Sequence, residues 1–397
     1  MTSKRLSLIA ALVVIGGLIV YLELGKVRPT LPPGGSDIPL DVALEHSMPE
    51  PTSTSVSATG TAPSSPPARI TSKATQYARA KEFVDPTGFV NASDTLTIAS
   101  LVGKKVILLD FWTYSCINCI RTQPYLNAWY NKYRDAGLEI IGVHTPEFDF
   151  EKDHGNVAAA VAREGIKYPV VQDNNYGTWT AYGNQYWPRK YLIDIDGYVV
   201  YDKIGEGGYD ETEQAIQKAL TERATVLGIS TTIPTGFANP DLGADAPSAS
   251  ALSPETYFGA ARNEYLSNGK SGVVGDQTLS LPSDITPSAL YLGGPWRFED
   301  QYAQNTATAV IRYEYEAQSV YFVASAADGV TAEVYRDGQP LPPELAGEDV
   351  KIVNGQATVV IKENRLYRLI HEAAPGTHTL ELRIEQPGLQ AFTFTFG

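Results

Sequence analysis

Residues 104–112, KKVILLDFW, form an apolar run that reads as a buried strand, and it leads straight into the only two cysteines of the chain, Cys116 and Cys119. The segment that follows, CIRTQPYLNAWYNKYRDAG, has helical spacing and a glycine stop. A strand of this kind needs cover on both faces, and the surrounding sequence supplies it. LEIIGVHT is the next strand, HGNVAAAVAREG the next helix, YPVVQD a short strand and NNYGTWTAYG a short helix. KYLIDIDGYVVYDKI reads as a hairpin turning at Asp196-Gly197, and DETEQAIQKALTERA as a final helix. The expectation for residues 73–225 is a central mixed sheet flanked by helices.

Beyond Ser253 the helical signal fades. TAVIRYEYEA, SVYFVASAA, TAEVYRDGQPL, QATVVIKE, RLYRLIHEA, HTLELRIE and LQAFTFTFG alternate with period two between short turns, which predicts an all-β sandwich, jelly-roll-like, over residues 254–397. Residues 226–253, rich in Gly, Pro, Ser and Thr, read as a linker between the two units. With 397 residues and 43% hydrophobic content, the chain can bury two cores.

Leu6 to Leu22 carries no charge and follows Lys4 and Arg5, so residues 1–27 read as an uncleaved signal-anchor helix in a single-pass cell-membrane protein. No small-x-small cleavage site follows it. From Arg28 to Ile70 there are nine prolines, twelve serines or threonines and no aromatic residue. Residues 28–72 are therefore expected to be a disordered tether that holds extracytoplasmic domains away from the membrane. A formal net charge of -14 and the lack of any Lys/Arg-rich run exclude nucleic acid as a natural partner.

Two cysteines spaced C-x-x-C can be half of a zinc site, a staple or a redox pair. Zinc needs further ligands, and none of the five histidines forms a closely spaced pair near the cysteines, so no metal or other cofactor is expected. A staple enclosing two residues removes almost no unfolded-state entropy. What the spacing does well is place one thiol at a helix N-terminus, where amide N–H groups and the helix dipole favour a thiolate, with its partner one turn inside. Cys116 would attack a substrate disulfide and Cys119 would resolve the mixed disulfide.

The stretches LLDFWTYSCINCIRTQPYLNAWY, IIGVHTPEFDFEKD, YPVVQDNNYGTWTAYGNQYWPRKYLID and GEGGYDETE resemble a thioredoxin fold of the membrane-anchored TlpA-like class. They are most similar to the extracytoplasmic part of DipZ-type proteins, whose C-terminal domain is likened to a carbohydrate-binding module. The resemblance implies a thiol-disulfide oxidoreductase, and the lack of a histidine between Cys116 and Cys119 favours a reductase of protein disulfides over an oxidase. DipZ-type proteins also carry an electron-transporting multi-spanning segment, so electrons are expected here from a separate transmembrane donor. Asp110 falls where thioredoxins keep a buried carboxylate, and would relay the proton of Cys119. Pro124 matches the proline within the active-site helix and Pro188 the cis-proline facing the thiols, with Trp187 and Trp112 contributing to the substrate face.

Other readings stay open. His144, at a strand end on the same side, could complete a Cu(I) site with two thiolates, but copper-delivering relatives space their cysteines more widely. TlpA-like proteins of cytochrome c maturation often place Glu where this chain has Thr122. A thioredoxin-fold peroxidase would need Pro-x-x-x-Thr-x-x-Cys; Thr113 fits and Leu109 does not. In the C-terminal domain Trp296, Tyr302, Tyr313, Tyr315 and Tyr335 offer either a stacking surface for envelope glycan or sandwich core.

Overall fold

The computed structural model describes residues 66–242, 245 and 253–397. The expected anchor at Leu6 to Leu22 and nearly all of the proline-rich tether lie outside the described residues. Among the described residues no helix is long and apolar enough to cross a membrane.

Helices α1 (Pro66–Ala74), α2 (Ile98–Leu101), α3 (Ile117–Tyr133), α4 (His154–Arg163), α5 (Gly177–Ala181) and α6 (Tyr209–Leu227) accompany six strands. These are β1 (Gly88–Val90), β2 (Val106–Trp112), β3 (Leu138–His144), β4 (Val170–Gln172), β5 (Arg189–Ile193) and β6 (Val199–Ile204), in the sheet order β1-β4-β3-β2-β5-β6. β2 is buried along its whole length because it has a parallel neighbour in β3 and an antiparallel one in β5. That is the burial an unbroken apolar run calls for. The long helices α3 and α6 pack on β3 and β2.

Glu213 of α6, 1% exposed, ties these helices together, accepting from Trp129 Nε1 (3.0 Å), Lys132 Nζ (2.7 Å) and Tyr133 Oη (2.6 Å). It also accepts from the backbone N–H of Ala238 at 2.7 Å. Although burial opposes ionisation, these donors hold its carboxyl below the usual range. Gly236 and Ala238 of the expected linker are thus pinned to the first domain.

Residues 66–72 correct the expected tether: they belong to α1. Arg69 donates to both carboxylate oxygens of Asp196, and Lys73 Nζ sits among Asp194, Asp196 (2.9 Å) and Glu222 (2.6 Å). An ammonium surrounded by three carboxylates holds this helix on the β5–β6 turn, where composition alone suggested only proline and serine.

The C-terminal part is β-rich. Strands β7 (Thr256–Tyr257), β8 (Gly275–Leu279), β9 (Leu290–Phe298), β10 (Ala303–Asn305), β11 (Ala309–Ser325), β12 (Val330–Arg336), β13 (Gln339–Pro340), β14 (Val350–Val353), β15 (Gln356–Ile361), β16 (Arg365–Ile384) and β17 (Gln390–Phe396) form one hydrogen-bonded sheet, along the path β14-β15-β12-β16-β11-β17-β10-β9-β8 with β13 added to β12 and β7 to β17. The path closes on itself because β9 pairs with both β10 and β11, while β17 joins β10 to β11. Leu292, Trp296, Ile311, Tyr313, Phe322 and Phe394 belong to its single core. A further apolar cluster bridges the two parts: Ile117, Ile120 and Phe148 pack with Tyr257, Tyr321, Val323, Leu366 and Phe392.

Candidate active site

Cys116 is the N-cap of α3, with extended backbone (φ -81°, ψ 119°), and stays partly exposed. Cys119, one turn inside, is fully buried, and both are free thiols. Burial pushes the Cys119 thiol well above its ordinary range, and its hydrogen bond with Cys116 and the charges of Cys116 and Asp110 add to this. A thiol so placed needs a base at the moment it reacts.

The turn ahead of Cys116 is held by a residue that the sequence did not single out. Glu151, 0% exposed, accepts from Ser115 Oγ at 2.6 Å and Ser115 N at 3.3 Å. Its other oxygen accepts from the backbone N–H groups of Glu147 and Phe148. Burial raises its carboxyl to about 7, with Glu147 adding to the rise and Ser115 opposing it. In the acidic string PEFDFEKD nothing distinguishes this glutamate from a solvated one.

Asp110 lies on β2 directly opposite Lys190 on β5, and both side chains are 0% exposed. Lys190 Nζ is 3.8 Å from Asp110 Oδ1, and neither group has a hydrogen-bond partner among the described residues. Burial raises the Asp110 carboxyl to about 7, against the lowering effect of Lys190, and it lowers the Lys190 ammonium. Cys119 feels the charge of both. The site therefore holds a titratable pair, not the lone carboxylate that the sequence suggested.

The Trp187–Pro188 peptide is cis. Trp187, 8% exposed, lines a small cleft with Cys116, and its indole N–H donates to Thr145 O at 3.0 Å. Pro124 lies inside α3. Trp112 corrects its expected place on the substrate face: it is 1% exposed, edge-on to His144 at 5.2 Å in the core. His144 is equally withdrawn, stacked on Tyr114 at 5.6 Å, and burial pushes its imidazole down to about 3.

Three of the five aromatics considered for glycan stacking are spent in the core. Trp296 (1% exposed) donates to Gly293 O, Tyr313 receives Thr256 Oγ1, and Tyr315 donates to Glu372. Tyr302 packs on Phe392 of the bridging cluster, and the guanidinium of Arg383 covers Tyr335 at 3.7 Å. No open aromatic platform results from these five.

Residues 79–220 match the family model described as Redoxin, and residues 253–397 the one described as Thioredoxin like C-terminal domain. The thiol-disulfide oxidoreductase ResA of Bacillus thuringiensis is 33% identical over 130 residues, 30% of this chain and 72% of ResA. The chain belongs to the thioredoxin-like thiol-disulfide oxidoreductases. Protein DipZ of Mycobacterium tuberculosis shares 39% identity with this family member over 314 residues, 78% of the chain. The chain spans 42% of the length of DipZ. A solved structure of a putative thiol:disulfide interchange protein DsbE from Chlorobium tepidum aligns at 25% identity over 36% of the chain and 96% of its own, with a TM-score of 0.32.

Proposed function

We propose that this thioredoxin-like oxidoreductase reduces protein disulfides. The observation that carries the reading is the partly exposed Cys116 at a helix N-terminus with Cys119 buried one turn behind it, next to Asp110 and Lys190. The Cys116 thiolate attacks one sulfur of the substrate disulfide, forming a mixed disulfide and expelling the first substrate thiolate. Asp110 takes the Cys119 proton, and the Cys119 thiolate attacks Cys116 Sγ, releasing the second. Two electrons pass to the substrate, and the dithiol becomes a disulfide. Lys190 sets how readily Asp110 accepts that proton.

Further parts of the reading are supported by the sequence. The uncharged run from Leu6 to Leu22 would anchor the protein in the cell membrane with its folded domains outside, and a separate transmembrane donor would re-reduce the dithiol. The full-length chain is then expected to stay with membranes through a carbonate wash and to be digested by external protease. Release as a shortened soluble form would contradict the anchor.

The reductase reading is tested by the pre-reduced protein acting on insulin, followed by titration in glutathione buffers. Isoleucine and asparagine, with no histidine, separate the cysteines, so the potential is expected near that of thioredoxin, about -270 mV, rather than near DsbA at about -120 mV. A value above that of protein disulfide isomerase, about -180 mV, would make the protein an oxidase.

A further inference from the structure

The cleft at Cys116 has two walls from different parts of the chain. Asn118, Glu147 and Trp187 line it from the thioredoxin-like part, and Glu255 and Thr395 from the C-terminal part. We propose that the C-terminal domain is the second wall of the substrate site and selects extended disulfide-bearing segments with a basic side chain beside the half-cystine. The inference rests on the disulfide-reductase reading of the same dithiol.

The wall is fixed in place. Ile117 and Ile120, flanking Cys119 on the active-site helix, share a core with Tyr321, Val323, Leu366 and Phe392. Arg121, 4% exposed, donates Nε to Asp245 O at 2.8 Å and lies over the Tyr321 ring at 5.6 Å. On the other flank Glu147 accepts from Tyr257 Oη (2.9 Å) and Arg262 Nη1 (2.7 Å), and the Arg262 guanidinium lies 3.6 Å over the Tyr257 ring. The shared apolar core on one side of Cys116 and the Glu147–Arg262 ion pair on the other leave the C-terminal domain little freedom to swing away.

The charge of the cleft is negative. Glu147 and Glu255 are the charged residues among those that line it, and the Arg262 guanidinium, behind the lining, pairs with Glu147. Two neighbouring cations are engaged elsewhere: Arg121 with Glu206 at 3.4 Å and Arg189 with Asp202 at 2.7 Å. A segment bringing its own ammonium or guanidinium meets a complementary field, and an acidic segment meets a repulsive one. The second wall also offers a polar contact. Thr395, 6% exposed on β17, has a hydroxyl without a partner among the described residues, and a substrate main chain running between Trp187 and β17 would satisfy it.

The test uses the pre-reduced full chain and two synthetic peptide disulfides that differ only in carrying Lys or Glu on either side of the half-cystine. At low salt the wild type is expected to reduce the Lys peptide about tenfold faster, a ratio that shrinks as salt is added. Glu255→Gln should narrow the ratio to about threefold, and Glu255→Lys should bring it to one or below. Each ratio is taken within one protein, so a change in overall activity does not enter it. A wild-type ratio of one, or a ratio that neither substitution moves, overturns the second wall. Failure of the wild type to reduce uncharged hydroxyethyl disulfide overturns the dithiol reading itself.

Discussion

Replacing Cys119 with serine is expected to arrest the protein as a covalent complex on Cys116. The exposures of the two thiols dictate the order: Cys116 reaches the cleft, whereas Cys119 is sealed behind it and can meet only Cys116 Sγ. A serine hydroxyl cannot attack a disulfide, so the first exchange proceeds and the second does not. Steady-state reduction of a protein disulfide should fall at least about a hundredfold, while a band carrying the substrate accumulates on non-reducing gels and disappears with dithiothreitol. Cys116→Ser should lose activity without trapping anything. Normal turnover by the Cys119→Ser protein would show that one thiol suffices and would remove the resolving step.

Asp110→Asn and Lys190→Met are expected to change the resolving step in two distinguishable ways. With the Asp110 carboxyl raised to about 7, the base form that accepts the Cys119 proton appears as pH rises through neutrality. Asn abolishes that base, so resolution should slow about a hundredfold and lose its inflection, with the first attack by Cys116 little changed. Lys190 favours the carboxylate; without its ammonium the Asp110 pKa rises further, and the inflection should move up by about one unit. The other charged groups felt by this pair are Cys119, Tyr168, Lys203 and Glu206, and both variants leave them in place. Stability changes in the opposite sense to the rate. Because folded Asp110 holds a proton that the unfolded chain has lost above about 4, wild-type stability falls as pH rises from about 4 to about 7. Asp110→Asn should flatten that fall in denaturant titrations. A resolving rate with the same pH profile in all three proteins would reduce the pair to packing.

The part of the site legible in the sequence was the part written locally. A strand, a C-x-x-C and a helix in succession place Cys116 and Cys119, and the length of the apolar run puts Asp110 in the interior. Lys190 was not legible, because PRKYLID reads as the opening of a hairpin, and only the antiparallel register of β5 on β2 brings its ammonium to Asp110. The same limit applies to Trp112, because an unbroken apolar run does not say which face meets the substrate. Tertiary pairing also decided the β-rich part. The strands expected at TAVIRYEYEA and SVYFVASAA are one strand, β11, because a bulge between Ala317 and Ser319 lets the ladder continue through a shift of register. The two segments around Pro375 are likewise one strand, β16, bent at the same bulge, where proline is tolerated.

The pairing of β7 with β17 has a consequence for biogenesis. Thr256 and Thr393, 137 residues apart, are joined across that pair, while the sheet around Cys116 closes within residues 88–204. On a chain made from its N-terminus, the dithiol can acquire its helix and its buried partner while the far strand is still in the ribosome. For that interval Cys116 faces the nascent environment with one wall, and off-target mixed disulfides are most easily formed. Pulse-labelled chains released before β17 should therefore carry more adducts on Cys116 than the finished protein does.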